Sequence, residues 1–220
     1  MRSNRLLTLD KRLSAVAGLF PVCEYGVDIG ADHGKLSAWL LQTERCERMI
    51  VSDISPLSVQ KVGQLMDELD LCHRCIVREA DGFAAIDRPV DAVAVCGLGG
   101  KTIADMVKQQ PKLPGNPALI LSAHTQIPLL RRTLVEQGYK IEKEVIVSAA
   151  RRFYNIIKAV VGTSDYSDKQ IHTGFHVEGS SQEELYAYYQ WRYNVEKSKQ
   201  TEQGQILAWL KEEMEQCGRL

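Results

Sequence analysis

Short β-rich runs alternate with helical patterns through the first part of the chain, and this alternation restricts the possible folds more than any other feature. The runs are YGVDI, RMIVSDI, CIVREA, VDAVAVCG and ALILSAH, and an amphipathic helix, LDKRLSAVAGLF, precedes them. Strands that alternate with helices build a parallel sheet, because each crossover helix brings the chain back to the same edge. The sequence therefore predicts an α/β fold with five parallel strands.

The pattern changes after the fifth run and the helix around LLRRTLVEQG. The segment YKIEKEVIVSAARRFYNIIKAVVG contains two β-rich runs joined by a short polar turn, which predicts an antiparallel hairpin. A dinucleotide dehydrogenase would continue with further strand–helix units. Parallel strands that end in a hairpin are typical of the class I Rossmann-like sheet of S-adenosylmethionine-dependent methyltransferases, so we predict that sheet here.

The last quarter of the chain is predicted to be an appended helical piece. Residues 162–180 have the composition of a linker, and two helical patterns follow it. Ser181 and Glu184 fit a capping box at the start of the first helix, and Ile206, Leu210 and Met214 form an apolar stripe on the second. We therefore predict a Rossmann-like methyltransferase domain at residues 1–164 and a coiled-coil-like helical hairpin domain at residues 165–220.

Charge and cysteine content limit the partners and the compartment. The formal net charge is -1, so any nucleic-acid contact needs a local basic patch. Residues 1–164 carry 21 Lys and Arg against 18 Asp and Glu, whereas residues 165–220 carry 6 against 10.

Cys72 and Cys75 form a CxxC with no second pair or histidines at zinc spacing, so we expect packing thiols. No apolar run approaches the roughly 20 residues that cross a bilayer, and we expect a cytoplasmic monomer without metal.

The loop after the first strand reads VDIGADHG and has the outline of a nucleotide-binding turn. A dinucleotide site needs a bare glycine in the middle of this loop, because the backbone there approaches a pyrophosphate. Asp32 occupies that place, and its carboxylate would repel a diphosphate. S-adenosylmethionine carries an ammonium and a sulfonium instead, so Asp28 and Asp32 favour this cofactor, while Gly30 and Gly34 keep the turn open.

Further acidic and glycine residues follow the next three predicted strands. Asp53 comes about 20 residues beyond the glycine loop, where an acid pairs with ribose hydroxyls, and Asp81 with Gly82 suits the edge of an adenine ring. Ligands of open α/β sheets bind at the carboxyl ends of the strands, where these elements converge. His33 could instead cap or pack at the start of its helix. The predicted cofactor-binding residues are Asp28, Gly30, Ala31, Asp32, His33, Gly34, Asp53, Ile54, Asp81, Gly82, Cys96, Gly97, Leu98, Gly99 and Gly100.

Four motifs, VDIGADHGKL, KRLSAVAGLF, CGLGGKTIADMV and FYNIIKAV, together resemble the bacterial TrmK family of tRNA adenine-N1 methyltransferases, which modify position 22 of the tRNA. The resemblance covers about residues 5–161 by motif and the remainder by architecture. It matches the family signature Asp-Ile-Gly-Ser-Asp-His, with Ala31 in place of serine, and the family loop Gly-Met-Gly-Gly, with Leu98 in place of methionine. Tyr154 falls at the family's aromatic residue in the final hairpin.

The resemblance implies transfer of a methyl group from S-adenosylmethionine to N1 of adenine 22 in tRNA. One segment departs from the family: members often carry Gln-Pro-Asn after the fifth strand, and this chain carries Ser122, Ala123 and His124 beside the acceptor pocket. The acceptor could therefore also be another RNA or a small molecule, and a non-catalytic nucleotide- or RNA-binding protein is a third alternative. Asp32 is the candidate catalytic residue, either by stabilising the cationic product ring or by orienting the cofactor.

An RNA substrate would need cations around the active face. The N-terminal group is the best candidate, because four cations occur there against the single acid Asp10. The pair Arg131/Arg132 is also available. Aromatic residues between Tyr186 and Tyr193 could stack on bases, although packing on a neighbouring helix is the commoner role. The predicted RNA-binding residues are Arg2, Arg5, Lys11, Arg12, Lys101, Arg151 and Arg152.

Overall fold

The computed structural model describes residues 6–163, 165–175, 177–199 and 204–218. Within them, seven strands and eight α-helices follow one another in chain order. The elements are α1 (Lys11–Leu19), β1 (Cys23–Ile29), α2 (Lys35–Gln42), β2 (Cys46–Asp53), α3 (Pro56–Glu68), β3 (Cys75–Glu79), β4 (Ala92–Cys96), α4 (Gly100–Gln109), β5 (Ala118–Ala123), α5 (Ile127–Glu136), β6 (Tyr139–Ala149), β7 (Arg152–Val161), α6 (Asp168–Thr173), α7 (Gln182–Lys197) and α8 (Gly204–Cys217).

The strands form one sheet in the order β3-β2-β1-β4-β5-β7-β6. The first five are parallel, whereas β7 runs antiparallel to β5, with Ser122 opposite Ile156, and antiparallel to β6. Ala150 and Arg151 connect the hairpin with positive φ angles of 49° and 60°, the geometry that matches the twist of paired strands. The predicted class I methyltransferase sheet is confirmed, including its terminal hairpin.

The two faces of the sheet are buried under different helices because side chains alternate along each strand. Val93 and Val95 of β4 belong to the core cluster that includes Ile103 of α4 and Leu130 of α5. Ala92 and Ala94 face the opposite cluster, which contains residues of α1, α2 and α3. The sheet is thus held between two packed layers of helices.

Helix starts follow the capping chemistry that the sequence indicates. Ser55 caps α3 by accepting a hydrogen bond from Ser58 N, and Pro56 occupies the first turn. Ser181 likewise caps α7 through Glu184 N. The second half of the expected capping box takes another form, because Glu184 Oε1 accepts hydrogen bonds from Lys11 Nζ and from Ser148 N in β6. Glu184 therefore links the C-terminal helices α6, α7 and α8, which we call the tail, to the hairpin of β6 and β7.

The tail packs on the hairpin through an aromatic cluster. Tyr188, Tyr189, Ile146 and Leu210 are all buried in it, and Ile206 and Met214 of the predicted stripe lie against the same cluster. The segment expected to be a linker contains α6, whose Ser167–Gln170 pair forms a complete capping box. No helix in the described ranges is long and apolar enough to cross a membrane.

Candidate functional site

A cavity of about 630 Å³ opens at the carboxyl ends of β1, β2, β3 and β4. We call it the strand-end cavity. Twelve of the fifteen residues predicted to bind a cofactor line it, although they come from four separate segments of the chain. They are Asp28, Gly30, Ala31, Asp32, His33, Asp53, Ile54, Asp81, Gly82, Cys96, Gly97 and Leu98.

The loop between β1 and α2 is bent by three left-handed residues. Gly30, Asp32 and Gly34 have φ angles of 70°, 52° and 66°, a conformation that glycine adopts without strain and aspartate tolerates. The bend is held by Asp32 N, which donates a hydrogen bond to Asp53 Oδ2 at 3.0 Å. Asp53 Oδ1 accepts from Ser55 N at 2.9 Å. The carboxylate of Asp53 therefore fixes the ends of two strands relative to each other.

Asp28 is the deepest acid of the cavity. Its side chain is buried, and Ser37 Oγ of α2 donates a hydrogen bond to its Oδ2 at 2.6 Å. Burial raises the pKa of Asp28 to about 6, against the opposing effect of the Ser37 hydrogen bonds. The carboxyl group is therefore ionised at neutral pH, although its burial disfavours the charged form.

The lining of the strand-end cavity is predominantly acidic. Besides His33, its charged side chains comprise five aspartates against the two cations Arg12 and Lys35. A buried carboxylate in such a cavity favours a cation over a phosphate, since a positive group offsets the cost of ionisation. The aspartates are Asp10, Asp28, Asp32, Asp53 and Asp81.

The remaining three predicted residues do not line the cavity but lie at the starts of the helices that follow its loops. Gly34 precedes α2 and packs on Val62, while Gly99 is the residue before α4. Gly100 begins α4, and its N donates a hydrogen bond to Thr125 O at 3.0 Å. A Cβ atom on Gly100 would lie 2.2 Å from that same carbonyl oxygen. Gly100 therefore permits a close backbone contact between the β4 loop and the segment after β5.

Asp32 and His33 lie at the mouth of the cavity. Both side chains are more than half exposed, and His33 Nε2 lies 3.5 Å from Asp32 Oδ2. The side chain of Asp32 is thus available to a ligand, whereas its backbone is occupied in the bend. His33 neither packs under α2 nor caps it, because its side chain is exposed and Gly34 is the N-cap residue, with no side-chain cap hydrogen bond.

The matching family model, described as a methyltransferase domain, covers residues 9–157. The chain belongs to this methyltransferase-domain family. It is an S-adenosylmethionine-dependent methyltransferase, as the acidic bend after β1 indicates. No curated protein matches the sequence.

Solved structures with similar folds include full-length matches. Streptococcus pneumoniae Sp1610 in complex with S-adenosyl-L-methionine aligns with a TM-score of 0.84 and 23% identity over 94% of this chain and 100% of that one. The Bacillus subtilis M1A22 tRNA methyltransferase TrmK aligns with a TM-score of 0.73 and 24% identity, covering 96% and 98%. The magnesium protoporphyrin IX methyltransferase of Synechocystis reaches 0.56 at 23% identity and covers 68% of this chain and 77% of its own.

The cofactor fits the residues present in this methyltransferase. The acidic lining suits the ammonium and sulfonium groups, and the buried, ionised carboxylate of Asp28 provides an observation independent of the motif. The sequence did not identify Lys35, Thr102 and Met106 as cavity residues. Thr102 and Met106 are one helical turn apart on α4, so their spacing after the glycine loop was a usable signal.

Those predicted RNA-binding cations that the structure describes differ in their surroundings. Lys11 is paired with Glu184 at 2.8 Å and Lys101 with Asp105 at 2.6 Å, while Arg151 and Arg152 lie exposed at the hairpin turn. Arg2 and Arg5 lie outside the described residues. Arg12 reaches the strand-end cavity, and its guanidinium lies 5.4 Å from the centroid of the Tyr154 ring.

The expectation that Arg131 is available to RNA is wrong. Its side chain is fully buried and bonds through two nitrogens to the equally buried carboxylate of Glu144, at 2.7 and 3.1 Å. Arg131 Nη1 also donates to Ile171 O of α6 at 2.8 Å. Arg132 remains exposed and pairs with Asp168. Adjacent arginines on a helix point in different directions, which composition alone does not reveal.

The cysteine and aromatic predictions have mixed outcomes. Cys75 packs against the core beside β3, and burial raises its pKa to about 12, whereas Cys72 is exposed. The part of the chain that the structure describes contains no cluster of side chains suited to a metal ion. In the tail, Tyr188 and Tyr189 are buried as expected for packing, but Trp191 stays partly exposed.

Proposed function

We propose that this methyltransferase transfers the methyl group of S-adenosylmethionine to N1 of adenine 22 in tRNA. The supporting observation is the extent of the structural likeness. The similarity to the Bacillus subtilis enzyme includes the tail, since it covers 96% of this chain, whereas the porphyrin methyltransferase covers 68%. The match to the porphyrin methyltransferase leaves about a third of this chain uncovered. We also propose the division into a methyltransferase domain at 1–164 and a helical domain at 165–220.

We assign the strand-end cavity to the cofactor. Asp28 and Asp32 hold the ammonium group, directly or through water, and Asp53 accepts hydrogen bonds from ribose hydroxyls with the lone pairs its backbone donors leave free. Asp81 and Gly82 lie at the end of β3, where they contact the adenine edge. The glycines after β4 allow the backbone to approach the reacting carbon.

The bound cofactor supplies an already activated methyl group, so the protein has to place a nucleophile in line with it and exclude water. The N1 lone pair of adenine forms the new bond to carbon, and the bond to sulfur breaks with its electron pair. No proton has to leave, and the product ring is cationic. A carboxylate beside the ring stabilises that charge as it develops. Asp32 is placed for this role or for orienting the cofactor.

The target base has to be unpaired to present N1, so a stacking surface is needed beside the cavity. Tyr154 of β7 is the candidate, because it is an aromatic residue next to Arg12 of the strand-end cavity, with 5.4 Å between the guanidinium and the ring centroid, and its ring lies 5.6 Å from that of His124. His124 stands where relatives of the TrmK type carry a different segment. We propose that Tyr154 stacks on the adenine and that Arg12 holds the adjoining phosphate.

The test uses unmodified tRNA transcripts with adenine or guanine at position 22 and labelled S-adenosylmethionine. We expect label in the adenine transcript, mapped to N1 of position 22, and none in the guanine transcript. Label at another position, or in neither transcript despite tight cofactor binding, would overturn the proposal and favour another RNA or a small molecule. The variant Asp32→Asn separates its two roles, since a loss in kcat at unchanged cofactor affinity indicates charge stabilisation.

A further inference from the structure

A second cavity, of about 450 Å³, lies between the segment that follows β5 and the tail helices α7 and α8. We call it the tail cavity. Its walls include His124, Tyr188, Trp191, Arg192, Val195 and Ile206. None of the cofactor contacts proposed above uses it, and its size falls in the range of small-ligand sites, about 300–1,000 Å³.

Trp191 forms an aromatic platform in this cavity. The centroid of its ring lies 5.6 Å from that of Phe153 and 6.1 Å from that of Tyr188. These neighbours fix the indole, yet 41% of the residue remains exposed. A fixed and partly uncovered indole provides a face on which a flat ring can stack.

Arg192 supplies an unsatisfied donor in the same wall. Only 6% of the residue is exposed, and its Nη1 donates to His172 O and Tyr188 Oη at 2.9 and 3.3 Å. Its Nη2 has no hydrogen-bond partner in the described chain, although Glu196 Oε1 lies 3.7 Å away. Buried donors without hydrogen-bond partners are costly, so an acceptor atom brought to Nη2 by a ligand would be stabilised there.

The charges of the tail cavity differ from those of the strand-end cavity. Glu196 lies between Arg192 and Lys199, so this trio carries one net positive charge. Burial, followed by the influence of Arg192, lowers the pKa of His172, so that this ring is neutral at pH 7. A ligand that consists of an uncharged ring with acceptor atoms, attached to a phosphate, fits these surroundings better than a cationic ligand does.

The tail cavity adjoins the proposed acceptor site. His124 lines the tail cavity and lies against Tyr154, which borders Arg12 of the strand-end cavity. The next residue, Thr125, accepts the hydrogen bond from Gly100 N behind the β4 loop. An RNA chain that presents one base at Tyr154 would therefore bring a neighbouring base close to the tail cavity.

We propose that the tail cavity binds a second unpaired base of the RNA substrate, stacked on Trp191 with its acceptor edge at Arg192. This inference rests on the proposed action on RNA. It assigns to α7 a direct part in substrate recognition in addition to its packing role. The second base would be a neighbour of the target in the folded tRNA.

The test measures affinity for fluorescein-labelled tRNA transcript by polarisation, without any need for turnover. Trp191→Ala is expected to weaken binding about tenfold, equivalent to about 1.4 kcal/mol, and Trp191→Phe to retain most of it. Tyr186→Ala is the matched control, because Tyr186 lies on the same helix with the same 41% exposure but outside the walls of the tail cavity. Affinity for S-adenosylmethionine should be unchanged in all three variants.

A second pair of variants guards against misfolding of Trp191→Ala. Val195 lines the cavity near the surface, so Val195→Glu should repel the RNA backbone and weaken binding severalfold, while Val195→Gln should not. Equal affinities for wild type, Trp191→Ala and Val195→Glu would overturn the inference, as would an equal loss in Tyr186→Ala. If the protein methylates tRNA but these variants bind tRNA with unchanged affinity, only the proposed second base site is excluded. If tRNA binds tightly and its affinity depends on Trp191, but no methyl group is transferred, only the proposed reaction is excluded.

Discussion

The strand-end cavity and the tail cavity are built in opposite ways. The first is acidic and is formed by loops that leave β1 to β4, with bends set by residues of positive φ such as Gly30 and Asp32. The second has an aromatic platform and is formed largely by side chains of α7 and of the segment after β5. Ligand choice in the first depends on local backbone geometry and charge, whereas the second depends on how the tail is docked.

The two cavities therefore depend on different parts of the fold for their shape. The strand-end cavity belongs to the central sheet, so it persists as long as the sheet is folded. The tail cavity needs α6 and α7 to stay on α5 and the hairpin, and the buried pair of Arg131 and Glu144 lies at that junction. Mutations at the junction should therefore damage the tail cavity first.

The largest expected effect is that of Arg131→Met. It leaves Glu144 buried without its cation, which costs about 3–5 kcal/mol of unfolding free energy. Asn155 Nδ2 still donates to Glu144 Oε1, at 2.8 Å, but a neutral amide does not replace a guanidinium. Urea denaturation at pH 7.5 measures the loss, and tRNA affinity should fall more than affinity for S-adenosylmethionine.

Arg132→Met is the control for this comparison. Arg132 is exposed and pairs with Asp168 at 3.0 Å, and surface pairs contribute about 0–1 kcal/mol. The double variant Arg131→Met/Glu144→Leu should recover much of the loss, because no unpaired charge remains. Similar stabilities for the two single variants would show that the buried pair does not anchor the tail.

Gly100→Ala tests the wall that the two cavities share. The added Cβ would meet Thr125 O at 2.2 Å and Gln126 O at 2.9 Å, so the segment after β5 has to move, at a cost of about 3 kcal/mol. We expect reduced affinity for both cofactor and tRNA, measured by calorimetry and polarisation. Gly63→Ala, inside α3 with nothing within 4 Å of its Cβ position, should instead stabilise by about 0.5–1 kcal/mol.

The sequence predicted the strand-end cavity well because its residues follow strands directly. Alternation of apolar runs placed β1 to β4, and parallel strands bring residues such as Asp28, Asp53 and Asp81 to one edge. The hairpin was also predictable, since no helical pattern separates β6 from β7. Capping at Ser181 followed from short-range chemistry alone.

The tail cavity was not predicted, because it depends on contacts between distant segments. Trp191 was recognised as an aromatic residue of a helix, but its position beside His124 depends on how α7 docks on the sheet. The buried pair of Arg131 and Glu144 likewise joins residues of α5 and β6 whose burial follows from packing by α6 and the hairpin. The short helix α6 lies in a polar stretch that resembles a linker in composition.

Asp28→Asn tests the electrostatic basis of the strand-end cavity. An acid with a raised folded-state pKa binds more protons when folded, so its ionisation destabilises the fold as pH rises from about 4 to above 6. The asparagine variant lacks this cost, and we expect it to be more stable at pH 7.5 by about 3 kcal/mol, from a rise of about two pKa units at about 1.4 kcal/mol each. Thermal unfolding at pH 5 and pH 7.5 should show the difference growing with pH.

The same variant should lose cofactor affinity, since a charge-assisted hydrogen bond contributes about 1.5–3 kcal/mol. Wild-type affinity for S-adenosylmethionine should fall as pH drops below about 6, while that of Asp28→Asn stays flat. Asp67→Asn, exposed on α3, is the control and should change neither quantity. Unaltered affinity in Asp28→Asn would remove this carboxylate from the binding site.

The smallest effects are expected from removing helix caps, because this change costs a similar free energy of unfolding in each of the two regions. Ser55→Ala removes the cap of α3 and Ser181→Ala that of α7, each at a cost of about 1 kcal/mol. Ser55 N also bonds to Asp53 Oδ1, so a displaced α3 start loosens the strand-end cavity. We therefore expect Ser55→Ala to weaken cofactor binding and Ser181→Ala to weaken tRNA binding, both by less than tenfold. If both variants changed the same affinity, the two cavities would be one cooperative unit, and docking of the tail would control the cofactor site as well.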